Sequence, residues 1–129
     1  MPNMANIVVK KADGTTNYTF TVLSGAAGDG SFAQWRGEGS TPALAANLRL
    51  KTLWNAKKDQ RRTEISGAYP KVETVAGVNT VTSIVPFSFM ASMPQNFTAA
   101  EANDAAAVIS NVIASALVRE SVATGVSPG

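Results

Sequence analysis

The hydrophobic period of this chain changes once, near residue 97, and that change constrains its fold more than any motif does. Through residue 93 apolar and polar residues alternate in short runs, the period-2 pattern of half-buried strands. After residue 98 the apolar positions fall three and four apart, at Ala102, Ala105, Ala106, Ile109, Val112, Ile113, Ala116 and Leu117, which is one stripe of a helix. Thr98-Ala99-Ala100-Glu101 reads as a capping box, in which the Thr hydroxyl accepts from the backbone three residues on and the Glu reaches back. No Gly or Pro follows until Gly125, so one long helix or two with a bend both fit. Strands first and helices last predict an α+β chain.

The strand region divides at turn signals. Ile7, Val8 and Val9 precede Asp13-Gly14, a pair suited to a tight hairpin turn, and Tyr18, Phe20 and Val22 follow on one face of a second arm. The glycine-rich stretch 24–31 lacks the Lys-Ser/Thr of a phosphate-binding loop and reads as a connection. Residues 32–36 form a short aromatic strand in which Phe32 and Trp35 are both expected in the core, and residues 37–41 form a polar break. Leu48 and Leu50 alternate with Arg49 and Lys51. Residues 55–59 are a polar turn; Gln60, Arg62, Glu64 and Ser66 then share one face of the next strand, with Arg61, Thr63 and Ile65 on the other. This strand runs through Pro70-Lys71-Val72 to a loop at Ala76-Gly77. Residues 80–93 form a last, long strand in which Pro86 points to an edge or a bulge.

The expected organisation is one domain over residues 1–129: an N-terminal β-hairpin at about 6–23, an antiparallel sheet of about five strands at about 32–93, and a helical region at about 98–124. A short helical segment cannot cover a broad open sheet or pair its edges. A symmetric, intertwined dimer solves both problems, with Ile109, Val112, Ile113 and Leu117 as packing residues. The charged share, 16%, lies below the roughly 25% of ordinary soluble domains, as for a chain that covers surface with copies of itself.

Charge is concentrated. Between Arg36 and Lys71 eight basic residues face three acidic ones, a local balance of +5, while the rest of the chain balances to −3. Arg49, Lys51, Lys57, Lys58, Arg61 and Arg62 fall within fourteen residues against Asp59 alone. A β face bearing Arg49, Lys51 and Arg62, with Lys57 and Lys58 in the adjoining turn, suits a polyanion and predicts steep salt dependence. Enzyme readings fare badly. The chain has no His and no Cys, which removes the commonest general base, the commonest metal ligands and the thiolate nucleophile. Its carboxylates are scattered singly, so we expect no catalytic residues, metal or cofactor. There is no basic-then-apolar leader, and the longest uncharged stretch near the end, 105–118, is short of a membrane span. The expectation is a soluble chain made in the cytoplasm, with no membrane partner.

The order of these elements, in about 130 residues without Cys or His, resembles the coat proteins of single-stranded RNA bacteriophages, the levivirus family. Ser31-Phe32-Ala33-Gln34-Trp35 resembles the family's short strand ending in Trp. Arg61-Arg62 leading through Ile65 to Pro70-Lys71-Val72 resembles its basic strand ending in Pro-Lys-Val. The resemblance implies a homodimer with joined sheets and exchanged helices, assembled into an icosahedral shell around genomic RNA in the virion, and made in the host bacterial cytoplasm. It implies that Arg49, Lys51, Gln60, Arg62, Glu64, Ser66 and, on the last strand, Ser88 line the RNA face, which in well-studied members also grips an RNA hairpin and represses translation. It implies that Ala76, Gly77, Val78 and Asn79 form the loop that meets neighbouring dimers. Two positions depart from the family's pattern: Pro86 stands where members often place a tyrosine, and Glu64 stands where a neutral or basic residue suits phosphate better. The alternative is a dimeric β-sheet regulator that binds nucleic acid without forming shells.

Overall fold

The computed structural model describes residues 3–39 and 41–129, so the expected polar break at 37–41 lies partly outside it, as do the first two residues of the leader reading. Six strands form one antiparallel sheet in sequence order: β1 (Ile7–Lys10), β2 (Asn17–Ser24), β3 (Ala33–Arg36), β4 (Asn47–Trp54), β5 (Gln60–Val75) and β6 (Val78–Pro94). The N-terminal hairpin is therefore continuous with the sheet. Two helices follow, α1 (Ala99–Ile113) and α2 (Ala116–Thr124). The chain separates into two compact units, 1–92 and 93–129.

In the first unit the β1–β2 connection is wider than the tight turn expected from Asp13-Gly14. Lys11 N–H donates to the Thr16 carbonyl, and the Asp13 carboxylate accepts from the Thr15 and Thr16 amides at 2.9 and 2.8 Å. Only Gly14 takes a positive φ, 74°, whereas a two-residue hairpin turn of the expected kind needs two such residues in succession. Asp13 thus closes a six-residue loop through its side chain. β2 alternates as expected: Tyr18 is buried and Phe20 and Val22 are half-buried. Its register against β3 slips between Val22 and Ser24, leaving Leu23 as a bulged, exposed residue.

The core of this unit is small: Tyr18, Ala33, Trp35, Ala45 and Ala46. Polar groups of its two aromatics are satisfied. The Trp35 indole N–H donates to the Ala5 carbonyl at 2.9 Å, and the Tyr18 hydroxyl accepts from Glu38 N–H at 3.1 Å. Gly37 is required here, because a Cβ would stand 2.5 Å from the Tyr18 hydroxyl and 2.8 Å from the Ala46 Cβ. Phe32 is not in this core but half-buried on the opposite face. Strand alternation puts Ala33 and Trp35 inward and turns Phe32 and Gln34 the other way.

The β5–β6 hairpin turns on two residues, Ala76 (φ 52°) and Gly77 (φ 80°), the paired positive values of a tight primed turn. Val78 and Asn79, expected in the loop, are instead the first residues of β6, and the Thr74 hydroxyl donates to the Asn79 side chain at 2.8 Å. Pro86 is accommodated because β6 is the last strand in the sheet order and has an unpaired edge in this chain.

In the second unit the capping box is present. The Thr98 hydroxyl accepts from Glu101 N–H at 3.2 Å, and the Glu101 carboxylate accepts from Thr98 N–H at 3.4 Å. The helical region is two helices bent by 45°. Ser115 explains the break: its hydroxyl donates to the Val112 carbonyl at 2.7 Å and its N–H donates to the same carbonyl at 3.1 Å. That satisfies a carbonyl at the end of α1, while Ser115 itself takes extended φ/ψ as the first cap of α2. Gly125, at φ 73°, ends α2 in the left-handed conformation. Among the described residues no single helix is long and apolar enough to cross a membrane.

Candidate nucleic-acid interface

The β4–β5 ladder builds the site. Arg49 stands opposite Ser66, Lys51 opposite Glu64, and Leu53 opposite Arg62. Paired residues share a face and faces alternate along a strand, so Arg49, Lys51, Arg62, Glu64 and Ser66 lie together, with Leu48, Leu50 and Ile65 behind them. The β3–β4 register extends this face, since Gln34 pairs with Arg49 and is exposed.

Its electrostatics are less uniformly positive than the count of basic residues suggests. The Glu64 carboxylate lies 3.2 Å from Lys51 Nζ through one oxygen and 3.1 Å from Arg62 Nε through the other. Arg49 is exposed, has no salt bridge among the described residues, and holds its guanidinium 4.9 Å from the Phe32 ring centroid; Lys51 Nζ lies 5.0 Å from the same centroid. Phe32 is therefore an aromatic surface between two cations. Sequence reading assigned it to the core, although the parity of Trp35 carried the signal that Phe32 and Gln34 face the other way.

The remaining predicted residues are placed as follows. Lys57 and Lys58 are exposed in the β4–β5 turn, which the Asn55 side chain organises by donating to Asp59 at 2.6 Å and accepting from its N–H at 3.0 Å. Lys58 is held at a positive φ of 56°. Gln60 opens β5 half-buried, and Ser88 is exposed on β6. Arg61 faces away from the site. It makes a bidentate pair with Asp29 at 2.7 and 2.8 Å and stacks over the Trp54 ring at 4.9 Å, tying the glycine-rich loop to the sheet. The Arg61 hydrogen bonds hold the Asp29 carboxyl below its ordinary pKa. Ala76 and Gly77 form the hairpin tip, flanked by exposed Val75 and Val78. Ile109, Val112, Ile113 and Leu117 are all exposed in the single chain.

This face can do what cations, hydroxyls and an aromatic ring on one side of a sheet can do: contact phosphate oxygens and stack on a base. Among the described residues no cluster of three acidic side chains could hold a metal ion.

No protein-family model matches the sequence, and no curated protein sequence matches it. Solved structures do match in fold. The virus-like particle of Beihai levi-like virus 21 superposes with a TM-score of 0.82 at 19% identity, covering 99% of both chains. The virus-like particle of bacteriophage NT-214 gives 0.79 at 18% identity over 99% of this chain and all of its own. The capsid protein of bacteriophage GA gives 0.74 at 18% identity over 95% of both. This chain has the levivirus coat-protein fold. In this chain the fold consists of six sequential antiparallel strands and two C-terminal helices, and the polar face belongs to strands β3, β4 and β5.

Proposed function

We propose that the protein is a non-enzymatic coat protein that dimerises, assembles into an icosahedral shell and packages single-stranded RNA against the β3–β5 polar face. The observation that carries the RNA part is the ladder itself, which gathers Arg49, Lys51 and Arg62 on one side of the sheet. Cations so arranged meet successive phosphates, and each contact releases condensed counterions. Self-assembly is supported by the levivirus coat fold and by what the single chain leaves bare: Val75, Val78, Ile84, Val85, Val112, Leu117 and Val122 are each more than half exposed. Large apolar side chains left exposed in each unit favour association with copies of the chain. In this reading the helix residues Ile109, Val112, Ile113 and Leu117 pack in the dimer, and the Ala76-Gly77 tip with Val78 and Asn79 meets neighbouring dimers. The finer form of the reading adds recognition of an RNA hairpin by the same face, and with it translational repression in the host bacterium.

Expression of the chain alone in a bacterial host, followed by sizing, negative-stain imaging and the 260/280 absorbance ratio, tests this. Closed particles with a nucleic-acid absorbance ratio are expected. Discrete dimers without particles overturn the coat reading in favour of a free β-sheet regulator. Particles devoid of nucleic acid overturn the RNA role of the face.

A further inference from the structure

The one carboxylate on the polar face is positioned to oppose the function proposed for it. Glu64 is half-buried, stands directly across the ladder from Lys51, and divides its two oxygens between Lys51 Nζ and Arg62 Nε at 3.2 and 3.1 Å. Two of the three cations on the face are thus already engaged by an internal anion. The third, Arg49, contacts the Phe32 ring. The Arg62 contact is close but poorly aligned: Nε is shielded from solvent yet makes no hydrogen bond of acceptable geometry among the described residues. A phosphate with freely placed oxygens satisfies a guanidinium better than this carboxylate does.

We propose that Glu64 is an internal competitor for RNA phosphate, a residue that sets how tightly and how salt-dependently the face holds RNA by occupying Lys51 and Arg62 until a phosphate displaces it. This rests on the reading of the face as RNA-binding and adds the specific role of its carboxylate. With Glu64 ionised, the four charged groups on the face sum to +2. Without it they sum to +3, and Lys51 and Arg62 are both available. The three side chains keep between 26% and 36% of their surface in water, so screening weakens the pairs and displacement is feasible, while the competing charge lowers affinity for any polyanion that does not place phosphates on both cations.

The test uses the full-length chain as assembly-competent dimers, with a fluorescently labelled oligouridine as the probe and binding measured across a range of salt concentrations. Glu64→Gln is expected to tighten binding on the order of tenfold at low salt, and to steepen the plot of log affinity against log salt by about 0.7 for each additional phosphate neutralised. Glu120→Gln, which makes the same change in net charge on α2, is expected to leave both quantities within about twofold of wild type. In a Lys51→Met, Arg62→Met background, Glu64→Gln is expected to give no gain. Glu64→Ser, smaller and also uncharged, repeats the comparison should the glutamine disturb folding. Wild-type binding with no gain in either Glu64 variant overturns the inference and leaves the RNA face standing. An equal gain from Glu120→Gln, or a gain that survives loss of both cations, also overturns it. Absence of binding by wild type and every Glu64 variant overturns the RNA face itself.

Discussion

Asp13 shows how much local order one exposed side chain can impose. Its carboxylate accepts from the amides of Thr15 and Thr16 and from the Thr16 hydroxyl, and these hydrogen bonds lower its pKa from 3.8 to about 2, the Thr16 side chain contributing most. A pKa depressed in the folded state means stability that is fully present above the unfolded value and lost as pH falls through the folded one. Asp13→Asn removes the titration while keeping an acceptor. The wild type is therefore expected to be the more stable chain at neutral pH, with the difference shrinking between about pH 4 and pH 2; paired denaturant titrations across that range check it. Arg61 makes a different point about single residues. Strand alternation already turns it to the face opposite Arg62, and the fold adds the partner that holds it there, Asp29, thirty-two residues away. Gly67 is equally unforgiving, because a Cβ there would meet the Asn47 carbonyl oxygen at 2.2 Å and the Phe87 ring at 2.7 Å.

Among the elements, the two helices divide the labour of termination and breaking between three polar or small residues: Thr98 starts α1, Ser115 separates it from α2, and Gly125 stops α2. Thr98→Ala removes the hydroxyl acceptor for Glu101 N–H and leaves in place the Thr98 N–H that donates to the Glu101 carboxylate. We expect it to cost about 1 kcal/mol, observed as a lower unfolding midpoint and reduced helical ellipticity near the transition. The strands follow equally local rules. β3 is only four residues long, yet its alternation alone assigns Trp35 to the core and Phe32 to the polar face. The capping box, the Ala76-Gly77 turn and the tolerance of an edge strand for Pro86 were legible because each depends on neighbours within a few residues. The helix break was not: Ser115 can serve as a helical residue or as a cap, and sequence does not distinguish a hydroxyl that donates back to Val112 from one that faces water.

For the molecule as a whole, function follows from which side chains the sheet brings together and what its single chain leaves uncovered. Arg49→Ala combined with Lys51→Ala removes two of the three cations from the face without touching the helix stripe or the hairpin tip. It is expected to lower the RNA content of particles several-fold while the dimer persists, read by absorbance ratio and by sizing after mild disassembly. Loss of the dimer would place these residues in a subunit interface instead. The class of fold, the capped helical end, the turns and the existence of a basic segment between residues 36 and 71 all stand in the sequence, since periodicity, capping and charge density are properties of short windows. The partners within that segment are a product of the folded chain. Glu64 holds two of the three cations that share a face, Asp29 holds Arg61 on the other, and the Phe32 ring lies against Arg49 and Lys51. Those facts depend on cross-strand register and on a loop returning from residue 29, which bring together residues far apart along the chain, and no local pattern encodes which partners will meet.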